Sequence, residues 1–146
     1  MARILIVDDD PAVQMTIRLL LERAGHCVVA AGDGRNGLAI LEAEAFDLLF
    51  LDIFMPGMDG LETMRRARQQ RPLIPIIVMS GQLVPSDSIS APDFLNMATR
   101  LGAVRGLQKP FKPAELLAAV AGCLQAARQT AERSSAASVI ADDMAS

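Results

Sequence analysis

The sequence predicts an α/β protein built around a buried parallel sheet. Short, continuous apolar runs alternate along the chain with longer stretches of helical periodicity, which is typical of consecutive βα units. The apolar runs lack the alternation of a half-exposed strand, so we expect the sheet to be covered on both faces. With 146 residues, of which 51% are hydrophobic, the chain is long enough for one domain with a sizeable core and a short extension.

In the first half of the chain, strands and helices alternate with clear boundary signals. Asp10 is placed to cap a helix whose first turn suits Pro11, because the proline ring holds φ at a helical value. Gly25 ends that helix, and a glycine-rich turn precedes the next one. The expected elements are strands at residues 4–7, 27–30 and 46–51 and helices at residues 11–24 and 35–44.

In the second half, prolines and glycines again separate the elements. Pro56 and Gly57 predict a turn, and Pro75 precedes a strand. We expect residues 1–125 to form the domain and residues 126–146 to hold the end of the last helix and a frayed tail from residue 134. The expected elements are helices at residues 60–70, 93–101 and 113–133, strands at 76–79 and 104–108, and a long loop at 81–92.

The composition argues against several classes of protein. The net charge of −3 gives no general attraction to nucleic acid or an anionic membrane, and no apolar run approaches the ~18 residues that cross a bilayer. The first residues lead straight into an apolar run and three aspartates, unlike a signal peptide, so we expect a cytoplasmic protein. There, Cys27 and Cys123 are expected to be buried small hydrophobic residues rather than a disulfide.

Four of the predicted strands end on a polar group. The first runs into Asp8 and Asp9, the third into Asp52, the fourth into Ser80 and the fifth into Lys109. Ligands of open α/β sheets bind outside the carboxyl ends of the strands, where the strand order reverses. Neighbouring parallel strands would therefore bring three carboxylates, a hydroxyl and an ammonium to one pocket.

Such a pocket is suited to Mg²⁺ and to a phosphoryl group. Two carboxylates about 4 Å apart repel by roughly 4 kcal/mol at an effective dielectric constant of 20, so positive charge is needed there. Lys109 supplies one charge, and a hard cation such as Mg²⁺, which prefers oxygen ligands, supplies the rest. A carboxylate beside both can attack phosphorus to form an aspartyl phosphate, with Ser80 hydrogen-bonding a phosphoryl oxygen.

These residues resemble the receiver domain of two-component response regulators. The resemblance rests on Asp8-Asp9, the segment DIFMPGMDG at residues 52–60, Ser80, and the segment KPF at residues 109–111, and it covers about residues 3–125. It implies a flavodoxin-like, doubly wound sheet of five parallel strands in the order 2-1-3-4-5. It also implies a signalling module rather than a turnover enzyme, with output through protein contacts and, as we interpret this chain, no output domain of its own.

The resemblance also assigns roles by position. Asp52 would accept a phosphoryl group from a histidine kinase or a histidine phosphotransfer protein. Asp9, Asp52 and the Phe54 carbonyl would bind Mg²⁺, and Asp8 would hold a metal-bound water. Lys109 would pair with Asp52 or its phosphate across a cis Lys109–Pro110 peptide. Ser80 would be the switch hydroxyl.

The chain departs from the family pattern at two points. Gly106 stands where the family usually carries an aromatic residue coupled to the switch hydroxyl, so we expect the signal to travel by another route. The segment from Ser80 to Gly102 is longer than the family norm, and it is either a partner-docking lid or a passive insertion. Both alternatives stay open at this point.

Two rival functions are weaker interpretations. A phosphohydrolase of the haloacid dehalogenase type would use the run of three aspartates, but Pro11 follows where such an enzyme needs a glycine-containing turn. A pseudo-receiver that binds partners without phosphorylation would not need the full set of site residues. His26 is expected to be an exposed turn residue, and the cluster Arg65, Arg66, Arg68 and Arg71 a solvated helix face.

Overall fold

The computed structural model describes residues 2–53, 60–80 and 105–145, with side chains described as far as Gln129 and excepting Ser80. Four sequence-based expectations lie outside these residues. They are the turn at residues 56–57, the loop at 81–92, the helix at 93–101 and the ligand role of Phe54.

Five parallel strands form one sheet in the order β2-β1-β3-β4-β5, which confirms the predicted fold class. β1 lies between β2 and β3, so the chain winds outward in one direction from β1 to β2 and in the other from β3 to β5. The order therefore reverses between β1 and β3, where a crevice opens at the carboxyl ends of the strands. The strands are β1 (Arg3–Val7), β2 (Cys27–Ala31), β3 (Leu48–Asp52), β4 (Ile76–Ser80) and β5 (Arg105–Gln108).

The first three described helices begin and end close to the predicted positions, and so does the start of the fourth, because the capping signals in the sequence act as expected. The side chain of Asp10 accepts a hydrogen bond from the amide of Ala12 at 2.9 Å, and Pro11 is the first helical residue. Gly25 follows the first helix with φ of 93°, a conformation that glycine adopts without strain. The helices are α1 (Pro11–Arg23), α2 (Gly34–Ala43), α3 (Gly60–Gln70) and α4 (Pro113–Ala145).

The core has two layers, one on each face of the sheet. In β1, Ile4 and Ile6 point to the face covered by α1 and α4, whereas Leu5 and Val7 point to the face covered by α2 and α3. All four side chains are buried, as are the five residues of β3. Burial on both faces explains why these strands are continuously apolar in the sequence.

α4 is longer than the sequence analysis predicted. It continues to Ala145, so the expected frayed tail from residue 134 is corrected to helix. The physical reason is local: neither glycine nor proline occurs between Cys123 and Ala145, and alanine, the best helix former, is frequent there. The 33 residues of α4 span about 50 Å at a rise of about 1.5 Å per residue. No described helix is long and apolar enough to cross a membrane.

At the amino-terminal edge of the sheet, polar side chains bind the main chain or each other. The Arg3 amide donates to Asp47 at 2.8 Å, and the Arg3 guanidinium donates to Glu44 at 2.6 Å. His26 is half-buried rather than exposed as expected, because its Nδ1 accepts a hydrogen bond of 3.1 Å from the amide of Ala2. These contacts join β1 to the chain segments that precede β2 and β3.

The arginine cluster of α3 has two different halves. Arg65 and Arg66 are exposed, in agreement with a solvated face. Arg71, immediately after α3, instead donates to the carbonyl of Leu41 in α2 at 3.0 Å, and Arg68 donates to two carbonyls in the turn before β4. The solvated interpretation is therefore wrong for this second half, which bonds the end of α3 to α2 and to the turn before β4.

Of the two cysteines, Cys27 is exposed rather than buried as expected, and Cys123 is buried.

Candidate functional site

Three carboxylates meet at the crevice between β1 and β3. Val7 pairs with Leu51 in the parallel register of these strands, so the residues that follow lie side by side. Asp8 is fully buried, Asp52 is 5% exposed, and Asp9 is exposed at the rim. One carboxylate oxygen from each of the three lies within 4.8 Å of the others. The structure therefore brings together all three carboxylates that the sequence placed at strand ends.

Lys109 reaches this cluster from the far side of β4. Its Nζ donates to Oδ2 of Asp8 at 2.7 Å and to Oδ2 of Asp52 at 3.1 Å, and the lysine side chain is 18% exposed. Lys109 follows β5, and the Lys109–Pro110 peptide is cis, as the resemblance implied. The ammonium bridges both buried carboxylates, whereas the sequence analysis paired it with Asp52 alone.

The pKa of Lys109 reflects this environment. Burial by itself would lower that pKa, but the hydrogen bond to Asp8 and the negative charges of Asp52 and Asp8 raise it above the ordinary value for lysine. Lys109 is therefore a fixed positive charge at neutral pH. One ammonium against three carboxylates leaves an excess of two negative charges when all four groups are ionised. This donor set fits a hard divalent cation that prefers oxygen ligands.

Ser80 lies at the carboxyl edge of the sheet, and Gly106 lies within the neighbouring strand, two residues before its end. Ser80 is the last residue of β4 and pairs with Gln108, and β4 is the neighbour of β3. The backbone of Ser80 is thus at the carboxyl edge, one strand away from Asp52. Gly106 lies inside β5, opposite Val78, so no aromatic side chain projects from that position.

The last residue of the DIFMPGMDG segment, Gly60, is a position where only glycine fits without a steric clash. A Cβ built on this first residue of α3 would lie 2.3 Å from the Cα of Ile53, which directly follows Asp52. Only glycine lets the start of α3 approach the end of β3 this closely, because any side chain would push against backbone. Gly60 therefore maintains the local packing next to Asp52.

Among the residues that the structure describes, the sequence analysis missed one polar residue of the site. Gln14 lies on α1, and its Nε2 donates to the carbonyl of Asp8 at 2.5 Å and to the carbonyl of Ala31 at 3.0 Å. A single glutamine on an amphipathic helix gives no periodicity signal, so only its spacing of six residues from Asp8 could have drawn attention to it. Asp8 also has a local partner, because its Oδ1 accepts from the amide of Asp10 at 2.9 Å.

The fold and the charged crevice define a flavodoxin-like α/β domain whose site lies at the reversal of strand order. Residues 4–121 match the family model described as the response regulator receiver domain. The chain belongs to this family. Receiver domains are signalling modules of two-component systems, so the functional class that the resemblance implied is confirmed.

Similar proteins include full-length regulators. The chain is 33% identical over 123 residues to the alkaline phosphatase synthesis transcriptional regulatory protein PhoP of Bacillus subtilis, covering 84% of this chain and 48% of PhoP. It is 33% identical over 143 residues to the transcriptional regulatory protein FixJ of Bradyrhizobium diazoefficiens, covering 98% of this chain and 66% of FixJ. The chain thus spans about half to two thirds of the length of these two relatives.

Solved structures show the same fold. A CheY-like receiver domain protein from Methanospirillum hungatei superposes with a TM-score of 0.79 at 32% identity, covering 89% of this chain and 98% of that one. NtrX from Brucella abortus superposes with a TM-score of 0.83 at 29% identity, covering 92% of this chain but 29% of NtrX. The likeness therefore extends over a whole receiver domain in the first case and over part of a larger protein in the second.

Proposed function

We propose that this protein is the phosphoacceptor of a two-component phosphorelay, in which Asp52 takes a phosphoryl group from a histidine kinase or a histidine phosphotransfer protein. The observation that carries the proposal is the shared ammonium: Lys109 Nζ lies 2.7 Å from Asp8 and 3.1 Å from Asp52. A structural ion pair needs one carboxylate, whereas this lysine is held between two that are buried beside each other. Perturbed, coupled charges in a crevice are typical of a chemical site.

The chemistry follows from the positions of these groups. A carboxylate oxygen of Asp52 attacks phosphorus, the bond from phosphorus to the donor imidazole nitrogen breaks, and the imidazole leaves with the electron pair. Lys109, already within hydrogen-bonding distance of Asp52, is placed to donate to an oxygen of the transferred group. A bound Mg²⁺ would neutralise charge on the phosphoryl oxygens. Asp8, Asp9 and Asp52 would hold it together with the Phe54 carbonyl, and Asp8 would act through a bound water.

The proposed output is a change of protein contacts. Phosphorylation adds a charge of about −2 at one position, which is enough to reorder a neighbouring segment. We propose Ser80 as the hydroxyl that binds the phosphoryl group. This proposal is supported by the position of its backbone, at the end of the strand that neighbours the strand of Asp52. The protein would then act by binding a downstream protein rather than nucleic acid or membrane. We also place it in the cytoplasm, where the exposed thiol of Cys27 stays reduced.

The test is the intact mass of the protein after incubation with acetyl phosphate and Mg²⁺. Wild type should gain one phosphoryl group, about 80 Da, and Asp52→Asn should gain none. Asp47→Asn is the matched control, because Asp47 is an exposed aspartate at the opposite edge of the sheet, and this variant should be labelled like wild type. Labelling of Asp52→Asn would refute the assignment of the acceptor. Wild type that stays unlabelled with acetyl phosphate and with a histidine-kinase donor would refute phosphoacceptor function.

A further inference from the structure

Gln14 connects three parts of the molecule around the proposed metal site. The residue lies on α1, and its half-buried side chain ends between the loop after β1 and the end of β2. Its Nε2 donates to the carbonyls of Asp8 and Ala31, at 2.5 Å and 3.0 Å. The Asp8 amide donates to the same Ala31 carbonyl at 3.1 Å, so that carbonyl accepts two hydrogen bonds. The main chain of Asp8 is thereby held on both its N–H and its C=O.

The chemistry of the contact requires a side-chain amide. The side chain donates to two carbonyl oxygens from one nitrogen, and a primary amide carries two N–H donors on one nitrogen. A methionine of similar length would leave both carbonyls without these bonds, and a carboxylate would set its own oxygens against them. The local geometry therefore selects glutamine among side chains of this length.

The position that Gln14 restrains is one that electrostatics would otherwise move. Asp8 is fully buried, Asp52 is buried beside it, and Asp9 follows Asp8 in the same loop. Repulsion between these carboxylates, when they are ionised, disfavours a loop conformation that keeps them close together. Lys109 binds the side chain of Asp8 but not its main chain. The carbonyl of Asp8 lies between the two acidic residues, and fixing it limits the movement of both carboxylates.

We propose that Gln14 is a positioning residue for the metal site, which holds the Asp8–Asp9 loop in its ion-binding conformation before the ion arrives. The inference rests on the proposed function in taking Mg²⁺ as the ion. Preorganisation of this kind changes the affinity of the site more than the chemistry at saturation. Loss of an outer hydrogen bond around a metal ligand typically lowers affinity by about 10-fold to 100-fold, and we expect about 10-fold here because Gln14 acts through the main chain.

The experiment compares Mg²⁺ binding by isothermal titration calorimetry in wild type, Gln14→Met and the control Gln69→Met. Gln69 is exposed on α3, so its variant makes the same chemical change away from the site. Gln14→Met should raise the Kd for Mg²⁺ about 10-fold, and Gln69→Met should leave it unchanged. The rate of labelling by acetyl phosphate at saturating Mg²⁺ should be close to that of wild type in both variants, with a higher half-saturating Mg²⁺ concentration for Gln14→Met alone.

The outcomes separate this inference from the proposed function. If wild type binds Mg²⁺ and Gln14→Met binds it equally well, the positioning role is wrong while the phosphoacceptor site stands. If wild type itself binds no Mg²⁺, the metal site and the inference fall together. Should Gln14→Met not fold, as judged by circular dichroism, the same comparison is made with Gln14→Asn, which keeps the amide but is one methylene too short to bond both carbonyls. An unchanged Kd in that variant would also overturn the proposal.

Discussion

The two edges of the sheet use charged side chains in opposite ways. At the amino-terminal edge, the Arg3 guanidinium donates to the carboxylate of Glu44, and the Arg3 amide donates to the carboxylate of Asp47. Each of these charges therefore has a partner of opposite sign or a backbone donor. At the carboxyl edge, Asp8 and Asp52 are buried next to each other and share one ammonium. The first arrangement contributes to stability alone. The second holds three carboxylates against one ammonium, and under the proposed function a bound cation would offset the excess negative charge of the ionised groups.

The largest expected effect comes from removing the shared ammonium. Lys109→Met should lower the free energy of unfolding by about 3 kcal/mol at pH 7 in EDTA, because it leaves two buried carboxylates without the cation they share. The matched change at the other edge, Arg3→Met, should cost less than about 1 kcal/mol, since both partners of its ion pair with Glu44 are nearly half exposed, at 46% and 44%. Urea unfolding measures both values. Equal losses would mean that the two edges do not differ as described.

A second substitution tests whether the amino-terminal side is purely structural. Arg71→Met should lower the free energy of unfolding by about 1.5 kcal/mol, because it leaves two carbonyls at the end of α2, those of Leu41 and Glu44, without their charged donor. Arg65→Met, on the exposed half of the cluster, should change it by less than about 0.5 kcal/mol. Labelling by acetyl phosphate should be unchanged in both variants. A slower labelling rate in Arg71→Met would show that this side also supports the chemistry.

Neutralising one aspartate at each edge should change stability with opposite signs. Asp52→Asn removes repulsion with Asp8 and should raise the free energy of unfolding in EDTA by about 1 kcal/mol, the lost bond to Lys109 offsetting part of the gain. Asp47→Asn weakens the bond from the Arg3 amide and should lower stability by about 0.5 kcal/mol. Thermal unfolding of both variants beside wild type measures the signs. Destabilisation by Asp52→Asn would show that the bond to Lys109 outweighs the repulsion.

The smallest effect is a pH dependence at the amino-terminal edge. His26 accepts a hydrogen bond from the Ala2 amide, and burial lowers the pKa of its imidazole below the ordinary 6.5. The unfolded chain therefore binds this proton more readily, so the free energy of unfolding should fall as the pH drops below about 6.5 and level off below the folded pKa. His26→Asn should lose this component. Urea midpoints between pH 5 and 8 measure it, and identical pH profiles would contradict the assignment.

The sequence identified most of the site because of one property of parallel sheets. The carboxyl ends of adjacent parallel strands meet at one edge, so polar residues that directly follow apolar runs in the sequence indicate a pocket. Asp8 and Asp52 were found in this way. The partners of Lys109 were less predictable, since its bond to Asp8 joins residues 101 positions apart and its choice of both carboxylates depends on how far β5 lies from β1.

By itself, the sequence determined the class of fold, the helix caps and the identity of the charged residues, because apolar period, proline and glycine act over a few neighbouring positions. The tertiary structure alone decided which groups share a partner. It bonds Arg71, expected to be a surface charge, to the end of α2. It also places the amide of Gln14 between a carbonyl in the loop after β1 and one at the end of β2. Such contacts depend on distances between elements that are set by packing of the core, and no local pattern of residues encodes them.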